Sequence, residues 1–356
     1  MISISLCMIV KDEEKVIKRC LDSVFGIVDE IIIVDTGSID NTKEIVKEYT
    51  QKVYDFKWIY DFSKARDFSF SKATKDYILW LDADEILDYV NKNKLLELKE
   101  NLNTGIDVVT METYMCLDEN NNPTIKSRRN RMVKSNKNFK WTGYIHEYIK
   151  IDGNIYDSDI GIIHHKVKCA DDRNLKIYKR NIDLGNELSN RDLCYYGKEL
   201  YCNCMIDEAI KIFDQVILKD ICKEEKVDAL CKIGECYLYK KETSKARKYF
   251  YKTFEYIEPR GEVLYNIAYS FEEEKKYHQA VFWYEMILNI KISKDCSQCM
   301  NISCWRFKPH LNLSFCYFEL NNLPKAYYHH EKAKQINPLN KYVMANDEYF
   351  KSIIKK

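Results

Sequence analysis

The sequence predicts an α/β domain built on a mostly parallel sheet, followed by an all-α domain of helical repeats. Three observations predict this. Short apolar runs alternate with amphipathic helical stretches through the first half. Those runs end in acidic or glycine-bearing turns. Beyond about residue 186, alanines in similar helical settings recur at a near-constant interval. A chain of 356 residues has room for two cores, and the expected domains are 1–185 and 186–356.

Taken in order, "ISLCMIV" reads as a buried strand. "EEKVIKRCLDSVFGI" follows as a helix with Val16, Ile17, Cys20, Leu21 and Val24 on its apolar face. "DEIIIVDTGS" is a second strand ending in an acid and a glycine turn, followed by a helix from about Asn41 to Tyr49. "KVYDF" is a shorter third strand, and a helix over about Ser63–Thr74 leads into "YILWLDADEIL", read as a strand ending at Asp82. In a parallel sheet, ligands bind at the carboxyl ends of the strands. That rule puts Lys11-Asp12, Asp35-Thr36-Gly37 and Asp82-Ala83-Asp84 on one rim.

The second half reads as helical hairpins. Ala209, Ala246, Ala280 and Ala326 are separated by 37, 34 and 46 residues, and the segments run into Pro259 and Pro338. A period near 34 with a small residue where paired helices cross resembles tetratricopeptide repeats. Such units bury their apolar faces only against neighbours, so three or four of them make a stable stack.

Bulk properties exclude several classes. The formal charge is +1, from 56 basic and 55 acidic side chains, which gives no net field for nucleic acid. The opening "MISISLCMIVKDEE" lacks a basic start and a small-residue cleavage site, and no apolar run is long enough to span a bilayer. A soluble cytoplasmic protein is expected. Most of the 14 cysteines lie in apolar or helical patterns, where a reduced thiol acts as a small hydrophobe. Cys296, Cys299 and Cys304, with His310 beyond, have a loose zinc-like spacing, but an ordinary loop between repeats is the preferred reading. The basic run "KSRRNRMVKSNK", residues 126–137, lacks interleaved aromatics; contact with a donor phosphate or an acceptor is expected in place of nucleic acid, a solvated loop being the alternative.

The acids of "LDADE" pose the chemical question. Asp82, Asp84 and Glu85 stand directly behind a buried strand, where ionised carboxylates repel one another and lose hydration. A bound divalent cation would compensate, and oxygen ligands suit Mg²⁺ and Mn²⁺. The plainer alternative is an acidic turn opening the next helix, where the macrodipole favours it. On an extended segment, Asp82 and Asp84 would point the same way and Ala83 the other.

With "LCMIVKDEEKVIKRCLDSV", "EIIIVDTGSIDNT", "DFSKARDFSFSKATKDYILWLDADE", "RRNRMVK" and "WTGYIHE" in this order, residues 2–170 resemble a family 2 glycosyltransferase of the nucleotide-sugar-binding, GT-A-like type. Joined to tetratricopeptide repeats, the chain is similar to a subgroup that includes the glycocin S-glycosyltransferases and enzymes acting on surface glycans or proteins. The resemblance implies an inverting, metal-dependent transfer of sugar from a nucleotide diphosphate, with uridine favoured. The acceptor would be a peptide or protein engaged by the repeats. A glycan or lipid-linked acceptor and a non-catalytic scaffold are the alternatives, and a homo-oligomer built through the repeats stays open. By the same resemblance, Ile9 and Val10 line the base pocket, Asp35 holds the nucleoside and Arg66 lies near the diphosphate. Asp82 and Asp84 form the acidic pair at a Mn²⁺ or Mg²⁺ ion. His164 of "IGIIHHKV", which follows an apolar strand-like run, is a further candidate to complete the metal shell. Asp12 stands where relatives often carry asparagine. Because inversion at a hydroxyl or thiol acceptor needs a base, Glu147 is the candidate base, and His146 a metal ligand or acceptor-orienting group. Trp141 either stacks on a sugar face or packs; packing is preferred.

Overall fold

The structure, a computed structural model, describes residues 1–120, 122–165, 172–290 and 300–354. The chain divides into two compact units. Of the described residues, one comprises those within 1–116 and 126–178, the other those within 117–125, 179–290 and 300–354.

The first unit begins with strictly alternating elements: β1 (Ile4–Val10), α1 (Ile17–Val24), β2 (Glu30–Asp35), α2 (Thr42–Lys47), β3 (Val53–Asp55), α3 (Phe62–Phe70) and β4 (Tyr77–Trp80). Then follow β5 (Glu85–Ile86), α4 (Tyr89–Asn101), β6 (Val108–Leu117), β7 (Pro123–Lys134), β8 (Trp141–Thr142), β9 (Tyr148–Ile149) and β10 (Ile155–His164). The main sheet runs β3-β2-β1-β4-β7-β6-β10-β5. β3, β2, β1 and β4 are mutually parallel, β7 joins β4 antiparallel, and β10 lies parallel to β6. Ile4, Leu6 and Met8 of β1, Ile31 and Ile33 of β2 and Leu79 of β4 share one core cluster, and Cys7, Ile32, Ile78 and Trp80 share a second on the other face, which explains why these strands read as unbroken apolar runs. Strand order reverses at β1, between β2 and β4, which makes the carboxyl end of β1 the switch point where such sheets open a crevice.

Two elements are shorter than the periodicity suggests. α1 starts only at Ile17, because residues 12–14 are bound to the next crossover loop. Asp12, Glu13 and Glu14 donate their N–H groups to Ser38 Oγ (2.9 Å), Thr42 Oγ1 (2.7 Å) and an Asp40 carboxylate oxygen (3.1 Å). β4 stops at Trp80 and not at Asp82. There the chain turns, with Glu85 N–H donating to the Asp82 carbonyl at 3.0 Å. The basic run is not a solvated loop: most of it is β7, and Arg131 is fully buried.

The second unit is built of α6 (Asn190–Cys202), α7 (Ile206–Ile217), α8 (Lys223–Tyr239), α9 (Thr243–Lys252), α10 (Gly261–Glu273), α11 (Tyr277–Asn289), α12 (Phe307–Glu319), α13 (Leu323–Ile336) and α14 (Lys341–Ile354), after α5 (Arg173–Asp183) in the connection. The four alanines are fully buried, each on the second helix of a hairpin. Twelve residues before each stands a small residue of the first helix: Gly197, Gly234, Ala268 and Ser314. Four residues after each stands the ring it accommodates: Phe213, Phe250, Tyr284 and His330. A Cβ on Gly234 would come within 2.4 Å of Phe250, so close helix approach is the reason for glycine there. No helix among the described residues is long and apolar enough to cross a membrane. Cys304 is buried beside Met300 and Trp305, and His310 Nδ1 faces His329 Nδ1 at 2.9 Å; Cys296 and Cys299 lie outside the described residues.

His330 therefore occupies an aromatic core slot. It is fully buried, its Nδ1 has no hydrogen-bond partner, and its Nε2 lies 3.3 Å from Asp347. Among the described residues, only His330, Glu331 and Asp347 bring three potential ligand atoms within 4.8 Å of one another. Asp347 is already paired with Lys334 and Lys351 (2.6 Å each), so the cluster is an internal ion network with no cationic deficit. His330→Phe is expected to raise stability by about 1 kcal/mol, since it removes an unsatisfied buried nitrogen and restores the ring the other three repeats use. A thermal melt checks this; a lowered midpoint would mean that the Asp347 contact outweighs the orphan nitrogen.

Candidate active site at the carboxyl ends of the strands

The first layer of the site is backbone architecture at the ends of β1 and β2. Asp35, 1% exposed, turns its carboxylate onto its own loop, accepting from Gly37 and Ser38 N–H at 3.0 Å each. Gly37 has φ +104°, a conformation open to glycine, and this lets the loop fold back over the carboxylate. Val10 is buried and its carbonyl accepts from Thr36 N–H at 2.9 Å, while Ile9 is half-buried. Asp12 has φ +53°, which aspartate and asparagine tolerate, and its carboxylate accepts from Ile39 N–H at 2.8 Å. The rim loops are thus tied to one another before any ligand arrives.

The acids of "LDADE" lie in a tight turn, and each carboxylate has its own partner. Asp82 Oδ1 accepts from Arg66 at 2.8 Å. Asp84 Oδ2 meets His164 Nε2 at 2.9 Å. Glu85, fully buried, accepts from Asp82 N–H (2.9 Å) and from both terminal nitrogens of Arg131 (2.7 and 2.5 Å). The segment is not the extended strand end that was expected: the Glu85 side chain folds back to cap the turn. Ala83 is buried in the core cluster.

Distant elements complete the site. His164 ends β10, whose antiparallel register with β5 sets His164 opposite Glu85, and His165 N–H donates to the Asp84 carbonyl at 2.8 Å. Arg66 lies one turn into α3. Phe62 N–H of that helix donates to the Tyr144 carbonyl (2.9 Å), and Trp141 N–H donates to Asp67 (3.0 Å). These bonds clamp the β8–β9 hairpin onto α3. Arg66 Nε consequently reaches Glu147 Oε1 at 2.5 Å, although 81 residues separate them. His146, with φ +52°, precedes Glu147 in the hairpin loop and is half-buried. Trp141 packs, as preferred: it is 5% exposed and meets Trp80 edge-on at 4.9 Å.

Electrostatics follow from this geometry. Burial alone would raise the Asp82 carboxyl, but the Arg66 and Arg131 guanidiniums outweigh it and hold the group well below the usual carboxylate range. Burial works against the Arg66 charge, and Asp82 and Glu147 more than offset it. The guanidinium also lies 4.7 and 4.8 Å from the Trp80 and Trp141 rings. The hydrogen bond to Asp84 raises His164 above its ordinary value despite burial.

A divalent cation is what the resemblance implies here. One carboxylate and one imidazole, Asp84 and His164, each 26% exposed, form a donor set suited to Mn²⁺ and acceptable to Mg²⁺. Asp82 is committed to Arg66, and its oxygens do not close with those of Asp84 and His164 to within 4.8 Å. Sequence reading alone had missed the partners Arg131 and Trp80. Arg131 had no local signal: its place in the core follows only once β7 pairs with β4.

Residues 5–155 match the family described as glycosyl transferase family 2. The first unit is a family 2 glycosyltransferase domain. Among the relatives of this chain is a TPR repeat-containing protein of Synechococcus elongatus, 36% identical over 151 residues, which are 42% of this chain and 36% of that protein. The SPbeta prophage-derived glycosyltransferase SunS of Bacillus subtilis is 28% identical over 222 residues, 58% of this chain and 51% of SunS. The chain thus matches about a third to a half of the length of these relatives. The solved structure of PilF from Pseudomonas aeruginosa covers 50% of this chain and 80% of its own at 14% identity, with a TM-score of 0.37. The helical half of this glycosyltransferase-domain protein is a tetratricopeptide-type stack, an assignment that rests on its four hairpins and their constant offsets of 12 and 16 residues.

Proposed function

We propose that the protein is an inverting glycosyltransferase that moves a sugar from a nucleotide diphosphate, with uridine the favoured base, to a polypeptide side chain. The observation that carries this reading is the Asp82–Arg66–Glu147 chain beside the Asp84–His164 pair, at the switch point of a family 2 domain. Asp35, Ile9 and Val10 shape the loops that would take the nucleoside. Arg66, buried and held charged, would face the diphosphate, where a planar guanidinium suits phosphate oxygens. A hydroxyl or thiol of the acceptor would give its proton to Glu147 as its oxygen or sulfur bonds to the anomeric carbon. The bond from that carbon to the diphosphate oxygen breaks, and the nucleoside diphosphate departs with the electron pair. Asp84 and His164 would hold Mn²⁺ or Mg²⁺, which when bound offsets charge growing on the leaving diphosphate. The tetratricopeptide-type unit favours a polypeptide acceptor, because helical repeats present extended concave surfaces to peptides.

The test is binding and slow hydrolysis across a panel of nucleotide sugars with Mn²⁺, with Mg²⁺ and with chelator, for wild type and Asp84→Asn. One donor should bind and turn over only with metal, and Asp84→Asn should lose at least about a hundredfold of that turnover. Wild-type turnover in the variant would remove the metal role. Absence of binding to every donor by folded protein would leave a non-catalytic scaffold.

A further inference from the structure

The β8–β9 ladder has two ends. Residues 143–147, with Glu147, close one end; the chains entering and leaving at the other end frame a surface cavity of about 450 Å³. Lys137, Lys140 and Lys150 stand around it with a single carboxylate, Asp152, and Phe139 and Ile151 contribute its apolar part. Those two side chains rest on the buried cluster of Phe70, Trp80, Trp141 and Ile149, which is also the cluster against which Arg66 lies. Lys137 has a partner in Asp107 at 3.4 Å. Among the described residues, Lys140 and Lys150, both exposed, have no ion-pair or hydrogen-bond partner. With Lys137 paired, two lysines against one aspartate leave the cavity cationic in a chain whose total charge is only +1. Lys150 lies three residues from Glu147, a backbone span of about 10 Å at about 3.3 Å per extended residue.

We infer that this cavity binds an acidic segment of the polypeptide acceptor, holding it while a neighbouring side chain reaches Glu147. The inference rests on the transferase reading and names the chemistry of its acceptor. Lysines on flexible stems, spaced around an apolar floor, suit carboxylates spread along a peptide with an apolar residue between them. A single phosphate group is better matched by a planar guanidinium or by converging backbone N–H groups, and the cavity is lined by no arginine and by no helix N-terminus.

The experiment uses the full chain and a fluorescein-labelled ten-residue peptide of alternating glutamate and leucine. Its glutamine counterpart, inorganic phosphate and anionic vesicles of phosphatidylglycerol are the comparison probes. Binding is measured at two salt concentrations for wild type and for Lys140→Glu/Lys150→Glu, and donor hydrolysis is followed on the same samples. The acidic peptide should bind wild type, weaken at least about tenfold in the double variant, and weaken with salt, while donor hydrolysis stays at the wild-type rate. Equal binding by both proteins, equal binding of the glutamine peptide, displacement by phosphate at similar concentration, or binding to vesicles without binding to the peptide would each overturn the inference. Donor hydrolysis separates the two readings: its presence with no peptide binding overturns only the acidic-acceptor inference, and its absence overturns the transferase reading.

Discussion

Glu147→Gln is expected to slow sugar transfer by about 10²- to 10⁴-fold while donor affinity changes little, the span a general base contributes. The substitution keeps the side chain's shape and removes only its ability to take a proton. Arg66 then loses one of its two anionic partners but keeps Asp82 at 2.8 Å, and its stacking against Trp80 and Trp141 is untouched. The guanidinium should therefore stay in position to meet the diphosphate. Single-turnover transfer and donor titration, measured side by side, separate the roles. If both fall together, Glu147 serves to hold Arg66 and is not the base.

Arg131→Ala is expected to cost about 3–5 kcal/mol of stability, the penalty for removing one partner of a buried ion pair. Arg131 and Glu85 are both fully buried, and Arg131 also donates to Thr113 Oγ1 at 2.9 Å. Its loss strands the Glu85 carboxylate in the core, where it is also the cap of the Asp82 turn. The double variant Glu85→Leu/Arg131→Met should recover much of the stability, because no uncompensated charge remains, yet not the donor hydrolysis, because the turn that aims Asp82 and Asp84 loses its acceptor. Urea unfolding of the three proteins measures this. A loss below about 1 kcal/mol in Arg131→Ala would mean that water reaches Glu85 and that the pair does not hold the turn.

The elements that a reader of the sequence gets right are those with a local signal. Ile4–Val10 and Glu30–Asp35 are apolar runs because a parallel strand is covered on both faces, and that requirement is written into every residue of the strand. The alanines and their rings at four-residue offsets likewise repeat because each hairpin poses the same packing problem. Reading "LDADE" as an extended strand end went wrong for a reason that is not local: Glu85 bends the chain because Arg131, 46 residues away, holds it inside. The basic run misled in the same way, since its charges look solvated until β7 is paired with β4 and Arg131 is carried into the core.

By itself, then, the sequence determined the alternating sheet domain, the stack of helical hairpins, and the rim on which Asp35, Asp82 and Asp84 stand. Tertiary structure alone decided the pairings: Arg66 with Glu147, Asp84 with His164 and Glu85 with Arg131, across separations of 81, 80 and 46 residues. The physical reason is that burial and periodicity act residue by residue along the chain. An ion pair, in contrast, depends on which strands become neighbours and in what register, and that is settled only when the whole sheet forms.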